Sequence, residues 1–233
     1  MPQPEPLTID CQDREIRAIN TAIREGLDAG RPITITNPGA RHNIGVGMVT
    51  PGDMTVEGSV GYYCGGMTDG VRIHVTGSAG WGVAEGMLSG TVVVDGNAGN
   101  GAAASIRGGT VVVRGDCAAR AGVSMKGGLL LIGGDAGYMT GFMMQKGAIV
   151  ICGDAGDALA DSMYEGVIFV GGEIAALGND AVIEEPSAED DRMLDAAFAE
   201  FGIERPKRLR KIVSGRKLWN FQHEEIETWR QAL

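Results

Sequence analysis

The chain has 233 residues, a formal charge of −10 and a pI near 4.8. That length supplies one good-sized domain, and the acidic balance argues against a nucleic-acid ligand. No apolar run approaches the length needed to cross a bilayer, and the start, MPQPEPLTID, lacks the basic-then-apolar plan of an export signal. A cytoplasmic protein with no membrane partner is therefore expected.

Residues 1–40 read as a strand–helix–strand cap. Leu7 to Ile9 suit a strand. From about Asp13 to Asp28, Ile16, Ile19, Ile23 and Leu27 share one face at helical spacing, with Gly30 placed to end the helix. Ile33 to Thr36 is a second strand. A glycine-rich loop, NPGARHNIGVG, follows; its Arg41, His42 and Asn43 could meet an anion or a partner, but as isolated loop residues they read as solvated.

Residues 41–180 carry the dominant signal. Gly58, Gly77, Gly96, Gly115, Gly134, Gly153 and Gly172 stand nineteen residues apart, a fixed period that marks one turn of a repeating coil. Before them come short β-branched runs, among them Val92–Val94, Val111–Val113, Leu129–Ile132, Ala148–Ile151 and Val167–Val170, which read as strands. Small residues also recur at 58/61/65, 77/80/84, 96/99/103, 115/118/122, 134/137/141 and 153/156/160, giving G-x-x-G-x-x-x-G with alanine at some places. Glycine serves where the backbone needs positive φ or must approach another backbone closely. The expected architecture is all-β with helical ends: a right-handed parallel β-helix of about seven 19-residue turns. Each strand would pair with its copy one turn away, making a rod on the order of 30 Å long.

The period sets up columns. Val92, Val111, Leu130, Ile149 and Ile168 form one, and Val94, Val113, Ile132, Ile151 and Val170 another on the same strand face. Met87, Ile106, Met125, Met144 and Met163 form a third, read as adaptable packing rather than sulfur or metal chemistry. Val93, Val112, Leu131, Val150 and Phe169 lie between the first two and so face outward. Strands apolar on both faces are covered on both faces: the cover is either a terminal segment of this chain or another protein, and the column is a candidate partner interface.

One column is polar: Ser59, Ser78, Asn97, Asp116, Asp135, Asp154 and Glu173. Stacked carboxylates repel, so a cation could bind there. The preferred reading is that Asp and Asn suit a corner and bond nearby backbone N–H groups.

Residues 181–233 form the tail. Ser187 is placed as an N-cap with acids in the first turn, and a helix runs through Phe201. RPKRLRKIVSGRK, residues 205–217, holds seven basic residues and no acid; it is expected to lie on the acidic body of its own chain or on an acidic neighbour. A last helix, Glu224 to Leu233, is anchored by Trp219, Phe221 and Trp229.

No chemistry-bearing constellation emerges. The four cysteines, Cys11, Cys64, Cys117 and Cys152, form no C-x-x-C, so free packed thiols are expected. His42, His74 and His223 have no metal-ligand spacing, and there is neither a P-loop nor a G-x-S-x-G elbow. Catalytic, metal and cofactor-binding residues are therefore all assigned as none.

The G-x-x-G-x-x-x-G coil resembles the GXGXG domain family, known as the C-terminal β-helix domain of the large subunit of glutamate synthase. The resemblance covers roughly residues 40–180. As a free-standing chain with this cap and the RKIVSGRKLWNF tail, it is similar to the GXGXG subunits of N-methylglutamate synthases. The resemblance implies a hetero-oligomer with a class II amidotransferase-like subunit and a flavin-binding glutamate synthase-like subunit, the latter holding FMN and often an iron–sulfur cluster. In that family the catalytic residues belong to the other subunits, so none carries over. A subunit of a split glutamate synthase, an independent β-helix enzyme and a self-assembling rod are the competing readings.

Overall fold

A computed structural model describes residues 4–218. The last helix expected at 224–233, its anchors Trp219, Phe221 and Trp229, and His223 lie outside the described residues.

The elements in order are β1 (Leu7–Asp10), α1 (Ile16–Asp28), β2 (Ile33–Thr36), β3 (Gly52–Val56), β4 (Val71–Val75), β5 (Gly90–Val94), β6 (Thr110–Val113), β7 (Lys126–Ile132), β8 (Lys146–Ile151), β9 (Val167–Val170), β10 (Ala181–Glu184), α2 (Ala188–Phe201) and β11 (Arg210–Ser214). They form one eleven-stranded sheet in the order β1-β2-β3-β4-β5-β6-β7-β8-β9-β11-β10. From β1 to β9 every neighbour is parallel. From β3 to β9 the main-run partners stand nineteen residues apart, as in Val56↔Val75, Val94↔Val113 and Ile151↔Val170. The chain is thus a parallel β-solenoid of about seven turns with two helices.

A second wall is thinner: single parallel bridges link Val60, Ala79, Ala98, Cys117, Ala136, Ala155 and Ile174 in turn. Small side chains let that corner close tightly, which explains why a cysteine substitutes for alanine at 117. Between the walls lies the core. Both inward columns are buried, from Ile73 and Val75 up to Ile168 and Val170, and so are Met87, Ile106, Met125, Met144 and Met163. Each fully buried aliphatic side chain contributes roughly 1.5–3 kcal/mol, so a column repeated over the turns is the main source of stability.

The cap and tail belong to the same sheet. β1, α1 and β2 make a strand–helix–strand unit whose parallel strands continue the solenoid. α1 starts at Ile16 rather than near Asp13, because Asp13 is left-handed (φ 58°) and cannot continue a helix backward. Its Ile19, Ile23 and Leu27 are buried in the solenoid core, closing an end that a repeat would otherwise leave open. At the other end the sheet reverses direction: β11 pairs antiparallel with β9, and β10 antiparallel with β11.

Candidate functional site

The polar corner column resolves into a ladder of hydrogen bonds. The backbone N–H of Ser78 donates to Ser59 Oγ at 3.0 Å and that of Asn97 to Ser78 Oγ at 3.1 Å. The series continues with Asp116 N–H to Asn97 Oδ1 at 2.9 Å, Asp135 to Asp116 at 2.8 Å, and Asp154 to Asp135 and Glu173 to Asp154 at 2.7 Å each. Each side chain satisfies the N–H of its counterpart one turn on, so like-charged residues are used as backbone acceptors. Among the described residues no group of three or more His, Cys, Asp or Glu is arranged to hold a metal ion.

This ladder accounts for the glycine period. A Cβ at Gly77 would lie 2.5 Å from Ser59 Oγ and 2.6 Å from the Gly58 carbonyl carbon. Cβ atoms at Gly96, Gly115, Gly134, Gly153 and Gly172 would collide with the side-chain oxygen of Ser78, Asn97, Asp116, Asp135 and Asp154. Close approach rather than positive φ therefore requires glycine at this phase; of the seven, Gly58 alone has positive φ. The phase that does need the left-handed region is the third small position, where Gly65, Ala84, Ala103, Gly122, Gly141 and Ala160 all have φ between 57° and 74°.

The outward column is covered by a terminal segment of the chain, the first of the two covers expected for it. Val112, Leu131, Val150 and Phe169 are fully buried, and Val93 partly, beneath the chain's own α2. Leu194, Phe198 and Phe201 share one face of that helix, and Leu209 completes the cluster. The surface on which a partner was a candidate is thus occupied intramolecularly. The cover stops where the column turns polar: in register before Val93 come His74, Thr55 and Thr34.

Both ends of α2 are pinned to the sheet. At its start Ser187 and Asp190 form a reciprocal capping box, and Lys211, which continues the outward column next to Phe169, binds Asp190 at 2.8 Å. Burial pushes the Asp190 carboxyl upward, but Lys211 and the Ser187 amide and hydroxyl outweigh it and hold it below its ordinary value. At its end Arg114 donates to the Phe201 carbonyl oxygen at 3.0 Å and to Asp95 at 3.2 Å, while Asp95 also pairs with His74 at 2.8 Å. Fourteen helical residues rise about 21 Å; the four strand steps from β6 to β11 span about 19 Å. The helix therefore fits the apolar half of the wall, with a cation closing each end.

The basic stretch is also engaged within the chain. Arg205 binds Asp191 and Asp195 of α2, Arg210 donates to the Gly172 carbonyl, and β11 itself covers the final turn. Of the two positions expected for this segment, the one on its own chain is the one that these contacts show.

The lead-in loop is not simply solvated. His42 stacks on Tyr62 with ring centroids 4.3 Å apart, and Tyr62 on Trp81 at 5.2 Å. The Tyr62 N–H donates to His42 Nδ1 at 2.8 Å. Sequence reading missed this stack; the nineteen-residue step from Tyr62 to Trp81 was its visible signal. The four cysteines are free, and burial pushes the thiols of Cys64 and Cys152 up to about 12 and about 11, leaving little thiolate at neutral pH. Among the described residues no helix is long and apolar enough to cross a membrane.

Comparison with known proteins extends the picture. No family model matches. Protein GlxC of Rhizobium meliloti (strain 1021) is 41% identical over 87 residues, 36% of this chain and 38% of GlxC, so the likeness spans well under half of either protein. In fold, the chain is similar to one from the crystal structure of the formyltransferase/hydrolase complex (FhcABCD) of Methylorubrum extorquens bound to methylofuran, with a TM-score of 0.65, 23% identity and 85% of each chain covered. That likeness places the solenoid among known architectures.

Proposed function

We propose that this chain is a non-catalytic solenoid subunit of a multisubunit enzyme of the GXGXG type. One observation carries the reading. The polar side chains that recur through the repeat, from Ser59 to Asp154, are committed to backbone N–H groups of the next turn. A catalytic centre needs different groups converging on a reacting atom, whereas this arrangement supplies axial rigidity. Support comes from the partial identity with Protein GlxC and from the shared fold with a chain of a multisubunit complex.

The specific reading is the GXGXG subunit of N-methylglutamate synthase, whose reaction is methylamine plus L-glutamate giving N-methyl-L-glutamate and ammonia. An amidotransferase-like subunit and an FMN-binding synthase-like subunit, the latter often with an iron–sulfur cluster, would do the chemistry, and this chain would hold them in register. The assembly recovered through a tag on this chain should form N-methylglutamate from methylamine and glutamate, while the purified chain should form none. Turnover by the purified chain would overturn the proposal. The 85% mutual coverage with the FhcABCD chain favours a second reading, in which the solenoid serves a one-carbon transfer assembly; formyl transfer without N-methylglutamate formation would select it.

A further inference from the structure

Among the described residues, one long edge of the solenoid is left uncovered by the chain's own segments. Leu88, Arg107, Lys126 and Gln145 stand above one another, because the N–H of each of the last three bonds the carbonyl one turn below, at Met87, Ile106 and Met125. Lys146 lies beside Gln145, where a bulge in β7 makes Lys126 and Lys146 direct strand partners. Two residues before Leu88 and Gln145 in phase, Met67 and Met143 are 60% and 40% exposed, and Leu88 itself is 43% exposed. Along the axis the edge therefore reads apolar and then basic: Met67 and Leu88, then Arg107 and Lys126, with Lys146 and Met143 together in the next turn.

The basic centre is costly as it stands. Like charges directly opposite on neighbouring strands repel, and in a chain of net charge −10 carboxylates are plentiful. Yet among the described residues Arg107, Lys126 and Lys146 make no ion pair, whereas Arg205 and Lys211 each found an acid on α2. Glu165 stands one turn beyond Lys146 in sequence phase and is not among its bonded partners. The exposed thioethers and leucine next to these cations match the composition of a protein interface, where methionine adapts to a partner surface.

We propose that this edge docks a protein subunit that presents carboxylates next to apolar side chains, the carboxylates facing Arg107, Lys126 and Lys146. Charge complementarity chooses the occupant: a polyanionic nucleic acid would satisfy the three cations but would leave Met67, Leu88 and Met143 uncovered and be repelled by the acidic body. The inference rests on the reading that the chain works inside an assembly and adds which surface it uses.

The test is zero-length carbodiimide cross-linking of the assembly isolated through a tag on the full chain, followed by peptide mass spectrometry. Cross-links should join Lys126 or Lys146 to Asp or Glu of one partner subunit. The Lys126→Glu/Lys146→Glu pair should weaken assembly by about ten-fold or more at low salt, since reversing charge at a complementary interface penalises association, with the circular dichroism spectrum unchanged. Leu88→Ser should weaken it without altering the salt dependence. An intact assembly with no cross-link from either lysine and undiminished affinity in the charge-reversed variant would overturn the inference, as would release of the bound material by nuclease. Failure of the wild-type chain to form any assembly would instead overturn the functional reading beneath it.

Discussion

The Cδ1 methyl of Ile168 fills the space in which a side chain at Gly141 would have to stand. Gly65 meets the Cδ1 methyl of Ile73 in the same way, at 2.8 Å from an added Cβ, and Gly122 that of Ile149. At the same phase Ala84 keeps the left-handed backbone, φ 60°, and its counterparts on the inward column are Val92 and Val111, which lack that methyl. At these turns the small column and the inward aliphatic column are fitted to one another.

Gly141→Ala should therefore cost more than backbone strain. A left-handed alanine costs about 1–2 kcal/mol, and overpacking adds about 1–3 kcal/mol. Ile168→Val alone should cost about 0.5–1.5 kcal/mol. In the double variant the steric part disappears, so the two changes should be non-additive by roughly 1 kcal/mol or more. Urea unfolding of the four proteins measures this; strict additivity would show that the columns are independent.

The corner ladder yields a second expectation. Asp135→Ala strands the Asp154 N–H and should cost about 1 kcal/mol, whereas Asp135→Asn keeps the acceptor and removes a like charge, so it should be neutral or slightly stabilising. Chelator or added calcium should leave the melting temperature unchanged. A calcium-dependent rise abolished by Asp135→Asn would assign the column to a cation instead.

The α2 clamp is acid-sensitive in a defined direction. The Asp190 carboxyl is depressed in the folded state, so its contribution is present above the unfolded carboxylate value near 4 and is lost as pH falls through the lower folded value. Asp190→Asn should lower stability at pH 7 by about 1.5–3 kcal/mol, the range for hydrogen bonds to charged groups, and should flatten the acid limb of the melting-temperature profile. An unchanged acid limb would remove Asp190 from that role.

Removing the outer cover should expose its apolar partner. Phe198→Ala should cost about 3–5 kcal/mol and, by loosening α2 over Val112, Leu131, Val150 and Phe169, should increase binding of a hydrophobic dye. Dye binding equal to that of the parent chain would mean that the helix does not protect this wall.

Much of this was legible because the nineteen-residue period repeats one local solution. Stacking, both inward columns, the methionine column, the cap helix and the Ser187 N-cap follow from spacing alone. Where the period ends, legibility ends with it. RKIVS reads as a basic run, yet Lys211 and Val213 alternate with Ile212, which pairs with Ile168 at the sheet end. Periodicity could say that the Val93–Phe169 column is covered, but not by what; the answer lay in the match between the length of α2 and the apolar half of the wall. The His42 stack escaped because the irregular lead-in loop sets His42 twenty residues before Tyr62 rather than nineteen.

The central claim, that this chain supplies stiffness to a larger enzyme rather than chemistry of its own, is tested most directly by native mass spectrometry of the particle recovered through a tag on the chain at its natural expression level. The account expects a particle of fixed stoichiometry containing an amidotransferase-like and a flavin-bearing subunit. A chain recovered alone, or only as copies of itself, would contradict it.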